Sequence, residues 1–387
     1  SYFKMRAIQY TFAGIGAFFA YPFLDNKIHL YYLENEQNQF FIENSPSLKK
    51  GVFKSTPWLA SGLLQAYFGS SKGSLSGDSA YCKAVEYYRE LVTLPDKGTL
   101  SIDWAKGPQL PKDSKVLLIT PGLTGGSESQ YIRNAVVVFQ ERGYRVGVMH
   151  GRGISGTPLT TPQPNNLGLT NDLDFIVNLI LNRYPDAPLV ALGTSMGANL
   201  LLKYAGEMGK DCKLLGIAAV STPFDIVLCS RHLRKPWPTA SLPDQYLTKN
   251  ITRVFKENRD FLSSFEELGV DMDMAAQATR SYEFDKLVTC KILGLRNPEQ
   301  YYRKESCVNV LHSIEVPVFA LSSLDDPVVT KDCIPYEEFT TNPNMILAVT
   351  NLGGHIGWFT GLWTPKRWYA YPCAEYLDNV IQKRHKN

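Results

Sequence analysis

The sequence predicts an α/β protein with a mostly parallel central sheet covered by helices. Between residues 115 and 220, short apolar runs alternate with amphipathic helical segments, which is the pattern of a parallel sheet covered on both faces. One of these runs leads through a Gly-x-Ser-x-Gly turn at residues 193–197 directly into a helical pattern. Two later apolar runs, at residues 316–321 and 345–350, supply the last strands.

Composition and charge exclude several classes of protein. The 387 residues include 44% hydrophobic and 20% charged side chains, enough for a sizeable interior. The net charge is only +3 and no stretch concentrates Lys and Arg, which argues against a nucleic-acid partner. Seven cysteines without a CxxC pair and six scattered histidines argue against a disulfide framework and a metal site. We therefore expect neither a metal nor an organic cofactor.

The first segment of the chain contains an unusual uncharged run. Residues 7–24 carry no charge, follow Lys4 and Arg6, and are just long enough to span a bilayer. Tyr10 and Tyr21 lie near its two ends, where a membrane has its interfaces. We predict a membrane anchor at residues 1–25; a signal peptide, a targeting presequence and a helix buried against the body are the alternatives.

The remaining chain divides into an arm and a main domain. Residues 26–80 lack a clear period and are predicted to form an irregular arm lying on the catalytic body, whereas residues 81–387 form the α/β domain. A turn at residues 95–98 joins two predicted strands, and a helix is predicted at about residues 129–142. The predicted strands are residues 88–94, 99–104, 115–120, 145–149, 188–192, 214–220, 316–321 and 345–350.

The alternation stops between about residues 224 and 310, which are aromatic, charged and mostly helical in pattern. An insertion after a central strand would lie over the carboxyl ends of the strands, where ligands bind in open α/β sheets. We predict a helical lid. Its aromatic residues either face a lipid substrate or pack a core of their own; they are Trp237, Phe255, Phe261 and Phe265.

Three residues at predicted strand ends form a candidate catalytic set. In a strand–turn–helix elbow the hydroxyl of Ser195 projects above the sheet. Asp325 and Asp326 follow one strand, and His355 follows the next between glycines. The chain order Ser, Asp, His is that of the α/β-hydrolases. We expect His355 to act as base and Asp326, rather than Asp325, to orient and stabilise its imidazolium.

A glycine-rich loop at residues 120–127 follows a strand directly. Glycine-rich loops can bind phosphate, but this one lacks the Gly-Lys-Ser/Thr ending of a P-loop, so the sequence does not favour a phosphate site here. In a hydrolase a loop here supplies one N–H group to the oxyanion hole, and the residue after the nucleophile supplies the other. We predict Leu123 and Met196 as these two donors.

These motifs together resemble the YheT-like, type-4 subfamily of α/β-hydrolase-domain proteins, and most closely its membrane-anchored phospholipase branch. The resemblance rests on residues 121–125, on residues 131–133, on the elbow, and on the Gly-Gly-His-Ile-Gly sequence around His355. It covers roughly residues 40–380 and includes Pro57-Trp58, Gln65 and Arg152-Gly153. It implies Ser195 as nucleophile, Asp326 as acid and His355 as base. Pro121 and Leu63 stand where many members have histidine.

We therefore predict a membrane-anchored serine hydrolase that cleaves lipid carboxylic esters, either phospholipids or acylglycerol and medium-chain esters, through an acyl-Ser195 intermediate. Acyl transfer to an alcohol is one alternative, because only the acceptor differs. A hydrolase-fold structural subunit of a membrane assembly is the other. The expected location is the endoplasmic reticulum or a mitochondrial membrane.

Overall fold

A mixed sheet of nine strands forms the centre of the structure, a computed structural model that describes residues 26–70, 85–236, 241–258, 261 and 263–384. The strand order is β1-β9-β8-β7-β6-β4-β5-β3-β2. The strands are β1 (Ile28–Tyr31), β2 (Tyr87–Thr93), β3 (Thr99–Ala105), β4 (Val116–Thr120), β5 (Arg145–His150), β6 (Leu189–Thr194), β7 (Ile217–Val220), β8 (Val318–Ser323) and β9 (Met345–Thr350). A separate small hairpin pairs β10 (Phe359–Thr360) with β11 (Lys366–Arg367).

The strands from β4 to β9 are parallel, as the sequence predicts. Every residue of β4, β6, β7, β8 and β9 is buried, because helices cover both faces. The predicted hairpin of β2 and β3 is confirmed as an antiparallel pair. The strand predicted at residues 214–220 is shorter than expected and begins at Ile217.

The helices connect these strands and lie on both sides of the sheet. They are α1 (Glu36–Glu43), α2 (Pro46–Lys50), α3 (Gly62–Ser70), α4 (Gln130–Gln140), α5 (Thr170–Arg183), α6 (Met196–Met208), α7 (Ile226–Leu233), α8 (Ser241–Glu257), α9 (Ser263–Glu267), α10 (Met272–Gln277), α11 (Ser281–Phe284), α12 (Cys290–Ile292), α13 (Pro298–Glu305), α14 (Tyr336–Thr341) and α15 (Ala370–Arg384). A π-helical turn, Asp285–Thr289, joins α11 to α12. Short 3₁₀ turns occupy Pro57–Leu59, Gly209–Asp211, Cys307–Ser313 and Lys331–Cys333.

Two apolar layers hold the helices against the sheet. Alternate residues of a strand point to opposite faces, so Leu118 of β4 enters one layer and Leu117 the other. Helices α5 and α6 fill the first layer, and α4 and α15 fill the second. This double cover fixes the sheet as the rigid frame from which the loops at its carboxyl edge project.

The segment after residue 25 is not the irregular arm expected from the sequence. β1 pairs antiparallel with β9, His29 opposite Val349, and so adds an edge strand to the sheet. Phe41 of α1 is 1% exposed and packs on Tyr376 of α15, with ring centroids 5.0 Å apart. Strand β1 is only four residues long, and its pairing depends on a partner more than 300 residues away, which no local period reveals.

The apolar run at residues 7–24, with the predicted anchor at residues 1–25, lies outside the described residues. Within the part of the chain that the structure does describe, no helix is both long and apolar enough to cross a bilayer.

A helical insertion separates β7 from β8, as predicted. It runs through α7 to α13 and has an apolar cluster of its own. Phe255 stacks with Phe265 at a centroid distance of 6.4 Å and meets Phe284 edge-on at 5.4 Å. Phe255 and Phe265 therefore serve as core residues of the insertion. Phe261 packs against the same cluster, and Trp237 lies outside the described residues.

Candidate active site

Ser195 lies at a strained turn between β6 and α6. Its backbone has φ 52° and ψ −120°, a conformation that costs free energy for a residue with a side chain. The surroundings hold it there, since Ser195 N–H donates to the Val220 carbonyl at 2.8 Å and its own carbonyl accepts from Ala198. A Cβ at Gly193 would lie 2.5 Å from the Ala198 Cα, so only glycine fits this turn.

A continuous chain of hydrogen bonds joins the three residues of the predicted set. The Ser195 Oγ lies 3.0 Å from Nε2 of His355, and Nδ1 of His355 lies 2.8 Å from Oδ2 of Asp326. The acceptor at Asp326 fixes the tautomer with hydrogen on Nδ1, which leaves the Nε2 lone pair directed at the serine hydroxyl. The arrangement can therefore remove the Ser195 proton while a carboxylate stabilises the resulting imidazolium.

The two neighbouring aspartates have different roles in the structure. Asp326 reaches His355, and its other carboxylate oxygen accepts hydrogen bonds from the N–H groups of Val328 and Val329 at 2.8 and 2.9 Å. Asp325 instead accepts from the Gly354 N–H at 2.9 Å, and so holds the loop that carries His355. Burial raises the pKa of Asp325 to about 6, with the nearby Asp326 charge acting in the same direction.

The predicted oxyanion loop passes directly beside Ser195. A Cβ at Gly122 would lie 3.2 Å from the Ser195 Cβ, and a Cβ at Gly197 would lie 2.1 Å from the Thr120 carbonyl oxygen. Thr120 also donates from Oγ1 to the Gly197 carbonyl at 3.0 Å. Leu123 therefore lies on the loop that adjoins Ser195, and Met196 lies next to Ser195 at the first position of α6.

A buried polar network behind this loop is not visible from the sequence. The Ser127 N–H donates to Nε2 of His150 at 2.9 Å, and the Ser127 hydroxyl donates to Asp103 at 2.5 Å. Arg89 completes the network with two hydrogen bonds to Asp103 at 2.7 and 2.8 Å. Burial lowers the pKa of His150 to about 4, so the ring is neutral near pH 7 and can accept from Ser127. The residues are scattered along the sequence and meet only where β2, β3, β5 and the loop converge.

Helix α3 supports the loop that carries His355 from the other side. Gln65 is fully buried, donates from Nε2 to the Leu59 carbonyl at 3.0 Å and accepts from the Phe359 N–H at 3.0 Å. A Cβ at Gly354 would lie 2.7 Å from the Gln65 Cβ, so helix and loop are in direct contact. Gln65 belongs to the residues that carry the family resemblance, and its buried amide gives that position a structural role.

A buried amide on α6, the helix that follows Ser195, bonds to the end of the helical insertion. Asn199 of α6 is fully buried, donates to the Glu305 carbonyl at 2.9 Å and accepts from the Cys307 N–H at 2.9 Å. These bonds place the end of α13 against the helix that follows Ser195. Among the described residues, no group of three or more His, Cys, Asp or Glu side chains is arranged to hold a metal ion.

Comparisons with known proteins agree with this geometry. The profile of the Hydrolase_4 family, described as "Serine aminopeptidase, S33", matches residues 111–339. The human protein "Phospholipase ABHD3" is 34% identical over 307 residues, which cover 77% of this chain and 71% of that protein. The Saccharomyces cerevisiae "Monoacylglycerol lipase" is 31% identical over 288 residues, covering 73% of this chain and 61% of that protein. The Picea glauca "Embryogenesis-associated protein EMB8" is 29% identical over 306 residues, which cover 76% of this chain and 66% of that protein.

The profile match spans more than half of the chain, and it contains β4, the elbow and Asp326. The human relative exceeds 30% identity over more than two thirds of the chain. The chain therefore belongs to the α/β-hydrolase family that this profile describes, together with the α/β-hydrolase-domain relatives named above.

Proposed function

We propose that this chain is a serine hydrolase that cleaves carboxylic esters of lipids through an acyl-Ser195 intermediate. The observation that carries the proposal is the hydrogen-bonded series Asp326–His355–Ser195, with distances of 2.8 and 3.0 Å. The three residues follow β8, β9 and β6 of one rigid sheet, which holds them without any rearrangement. The strained backbone of Ser195 supports the same proposal, because such strain persists where surrounding structure imposes it at functional sites.

The reaction would proceed in two halves. Ser195 Oγ attacks the ester carbonyl carbon while His355 Nε2 takes its proton, and the negative charge develops on the carbonyl oxygen. The N–H groups of Met196 and Leu123 are proposed to bind that oxygen, a contribution of about 3 kcal/mol from each donor in comparable enzymes. The imidazolium then protonates the leaving alcohol. Water, deprotonated by His355, attacks the acyl-serine and releases the carboxylic acid and the free hydroxyl.

The substrate class is supported by the relatives. The human and yeast proteins are named a phospholipase and a monoacylglycerol lipase, and both names denote hydrolases of lipid esters. We propose the same broad class here. The same acyl-enzyme would acylate an alcohol if one entered the site in place of water, so the assay below measures both products.

We also propose that the protein is bound to a membrane through residues 7–24, because this run is uncharged and long enough to span a bilayer. The endoplasmic reticulum and a mitochondrial membrane are the two proposed locations. Subcellular fractionation with an alkaline carbonate wash tests the proposal. Release of the protein into the wash would contradict membrane spanning.

The function is tested by incubating the purified full chain with phosphatidylcholine and monoacylglycerol dispersions and measuring released fatty acid and acylated alcohol. We expect fatty acid release by the natural sequence and none above background by Ser195→Ala. The structure predicts that the variant folds normally, because the substitution removes one hydroxyl. Equal rates for both proteins, or no product from any lipid ester, would contradict the proposal.

A further inference from the structure

The structure brings two uncharged stretches of the chain together into one exposed aromatic surface. Residues 55–70 and residues 351–365 contain no Asp, Glu, Lys or Arg. The first stretch forms α3 and the turn before it, and the second forms the loop after β9, strand β10 and the turn that leads to β11. We call this surface the hairpin patch; its exposed members are Trp363, Tyr67, Leu362 and Leu63, which are 82, 61, 39 and 37% exposed.

The two halves of the hairpin patch are joined by direct contacts. Trp58 donates from its indole N–H to the Leu362 carbonyl at 2.7 Å, and its ring meets Phe68 edge-on at 6.0 Å. Phe68 in turn meets Tyr67 at 5.4 Å. Leu63 and Tyr67 are four residues apart on α3 and so share a face of the helix. These contacts make the patch contiguous, and a contiguous exposed apolar surface is the kind that marks a protein or membrane interaction site.

The patch also adjoins the active site. A Cβ at Gly62, the first residue of α3, would lie 1.7 Å from the carbonyl oxygen of Asp325. At the other end of α3, a Cβ at Gly69 would lie 3.6 Å from the carbonyl oxygen of His355. Helix α3 thus runs along the two loops that carry the acid and the base, and its outer face belongs to the hairpin patch.

The first described residue, Asn26, follows the uncharged run of residues 7–24 in the sequence and lies near this surface. Asn26, the first described residue, accepts a hydrogen bond from the Phe53 N–H at 2.9 Å. Three residues later, the Thr56 N–H donates to the Phe359 carbonyl of β10 at 2.8 Å. Three residues of extended chain span at most about 10 Å, so Asn26 lies close to the hairpin. Exposed Lys54 and Lys366 border the two uncharged stretches.

We propose that the hairpin patch is a membrane-docking surface, with Trp363 and Tyr67 inserted at the interface of a phospholipid bilayer. Tryptophan and tyrosine are the residues that prefer this interface, and lysines at the border of the patch face lipid phosphates. The inference rests on the proposed lipid ester substrate, and it adds the surface through which the site meets that lipid. Docking here would turn the side of the active site that carries Asp325 and His355 toward the bilayer.

The test uses the full chain reconstituted in phosphatidylcholine vesicles, with an environment-sensitive nitrobenzoxadiazole dye on Trp363→Cys. The matched control is Leu91→Cys on β2, which is 57% exposed and lies at the opposite edge of the sheet. We expect blue-shifted emission, and quenching by doxyl-labelled lipid, for position 363 alone. The unsubstituted protein, treated with the same dye, gives the background signal from labelling of the native cysteines. Equal quenching at both positions would overturn the proposal. A blue shift of the emission that needs no vesicles and grows with protein concentration would also overturn it, because it would indicate that a second copy of the chain covers the patch.

A second measurement separates docking from catalysis. For Trp363→Ser we expect turnover of a vesicle-embedded ester to fall about three- to tenfold, since one interfacial aromatic side chain is lost, with turnover of a short water-soluble ester unchanged. Unchanged turnover of both esters would overturn the docking proposal and leave the proposed function intact. If the unsubstituted protein did not turn over the water-soluble ester at all, the result would instead contradict the proposed function.

Discussion

At the level of single residues, Asp325 and Asp326 show how adjacent carboxylates on one strand end acquire different tasks. Asp326 is hydrogen-bonded to His355 and to two backbone N–H groups, whereas Asp325 accepts from the Gly354 N–H in the loop that carries His355. Successive residues leaving a strand project in different directions, so only one of the two aspartates was expected to face His355, and Asp326 was the one predicted. The structure brings Asp326 to the histidine, and the role of Asp325 came only from the fold.

The first prediction compares Asp326→Asn with its matched control Asp325→Asn. Asparagine at position 326 preserves the positions of the side chains but favours the wrong tautomer of the His355 imidazole. We therefore expect kcat to fall about 10³- to 10⁴-fold with little change in KM. Asn at 325 can still accept from Gly354, and we expect kcat within about threefold of the natural value. Steady-state kinetics on a soluble ester measure both. Equal losses in the two variants would contradict the assignment.

Asp325 also predicts a dependence of stability on pH. Its pKa in the folded protein is raised to about 6 by burial, above the ordinary value of 3.8, so the folded state binds its proton more tightly than the unfolded state. Its contribution is therefore favourable at low pH and is lost as the pH rises from about 4 to about 6. We expect the Asp325→Asn protein to gain stability relative to the natural sequence over this interval, by about 2 kcal/mol. Urea unfolding at pH 4.5 and 7.5 measures the difference, and a constant difference would contradict it.

His150 is predicted to act as a positioning residue for the oxyanion loop. His150→Leu removes the acceptor for the Ser127 N–H, and we expect kcat to fall about 10- to 100-fold because oxyanion donors act only in the transition state. His150→Gln, which keeps an acceptor, should recover part of that loss. A purely structural role would instead lower stability and leave kcat of the folded fraction unchanged, so kinetics and urea unfolding are measured on the same samples.

At the level of elements, the turn between β6 and α6 packs so closely on the end of β4 that there is no room for a side chain at Gly197. A Cβ at Gly197 would lie 2.1 and 2.4 Å from the carbonyl oxygens of Thr120 and Pro121. We expect Gly197→Ala to displace the oxyanion loop, lowering stability by about 1–3 kcal/mol and kcat together. Gly69→Ala is the control, because its nearest neighbour would be 3.6 Å away. Thermal unfolding and ester turnover test the pair, and full activity of Gly197→Ala would be inconsistent with the packing described.

Elements differ in how far the sequence could predict them. The parallel strands were predictable because each is a short apolar run fully buried by helices, and the elbow was predictable because strand, turn and helix follow in order. β1 was missed, since its four residues depend on a distant partner. The network of Ser127, His150 and Asp103 was missed for a related reason: polar residues on separate elements carry no local pattern, and only the tertiary fold brings them together.

At the level of the whole molecule, the N-terminal segment is part of the hydrolase fold. Phe41 is 1% exposed where α1 packs against α15. In the sequence it is far from Ser195. We expect Phe41→Ala to destabilise the protein by about 3–5 kcal/mol, the usual cost of removing a buried aromatic ring, with kcat of the folded protein unchanged. Leu33→Ala, at a position 39% exposed, is the control and should cost little. Urea unfolding compares them, and equal stability of the two variants would show that the segment is an independent arm.

The central claim, that Ser195 is an activated nucleophile, is tested most directly by covalent labelling with a fluorophosphonate. We predict one label per chain, found by peptide mass spectrometry on Ser195, lost in Ser195→Ala and strongly slowed in His355→Ala, because Nε2 of His355 is the base 3.0 Å from the hydroxyl. Labelling of another residue, or no labelling of folded natural protein, would contradict the account.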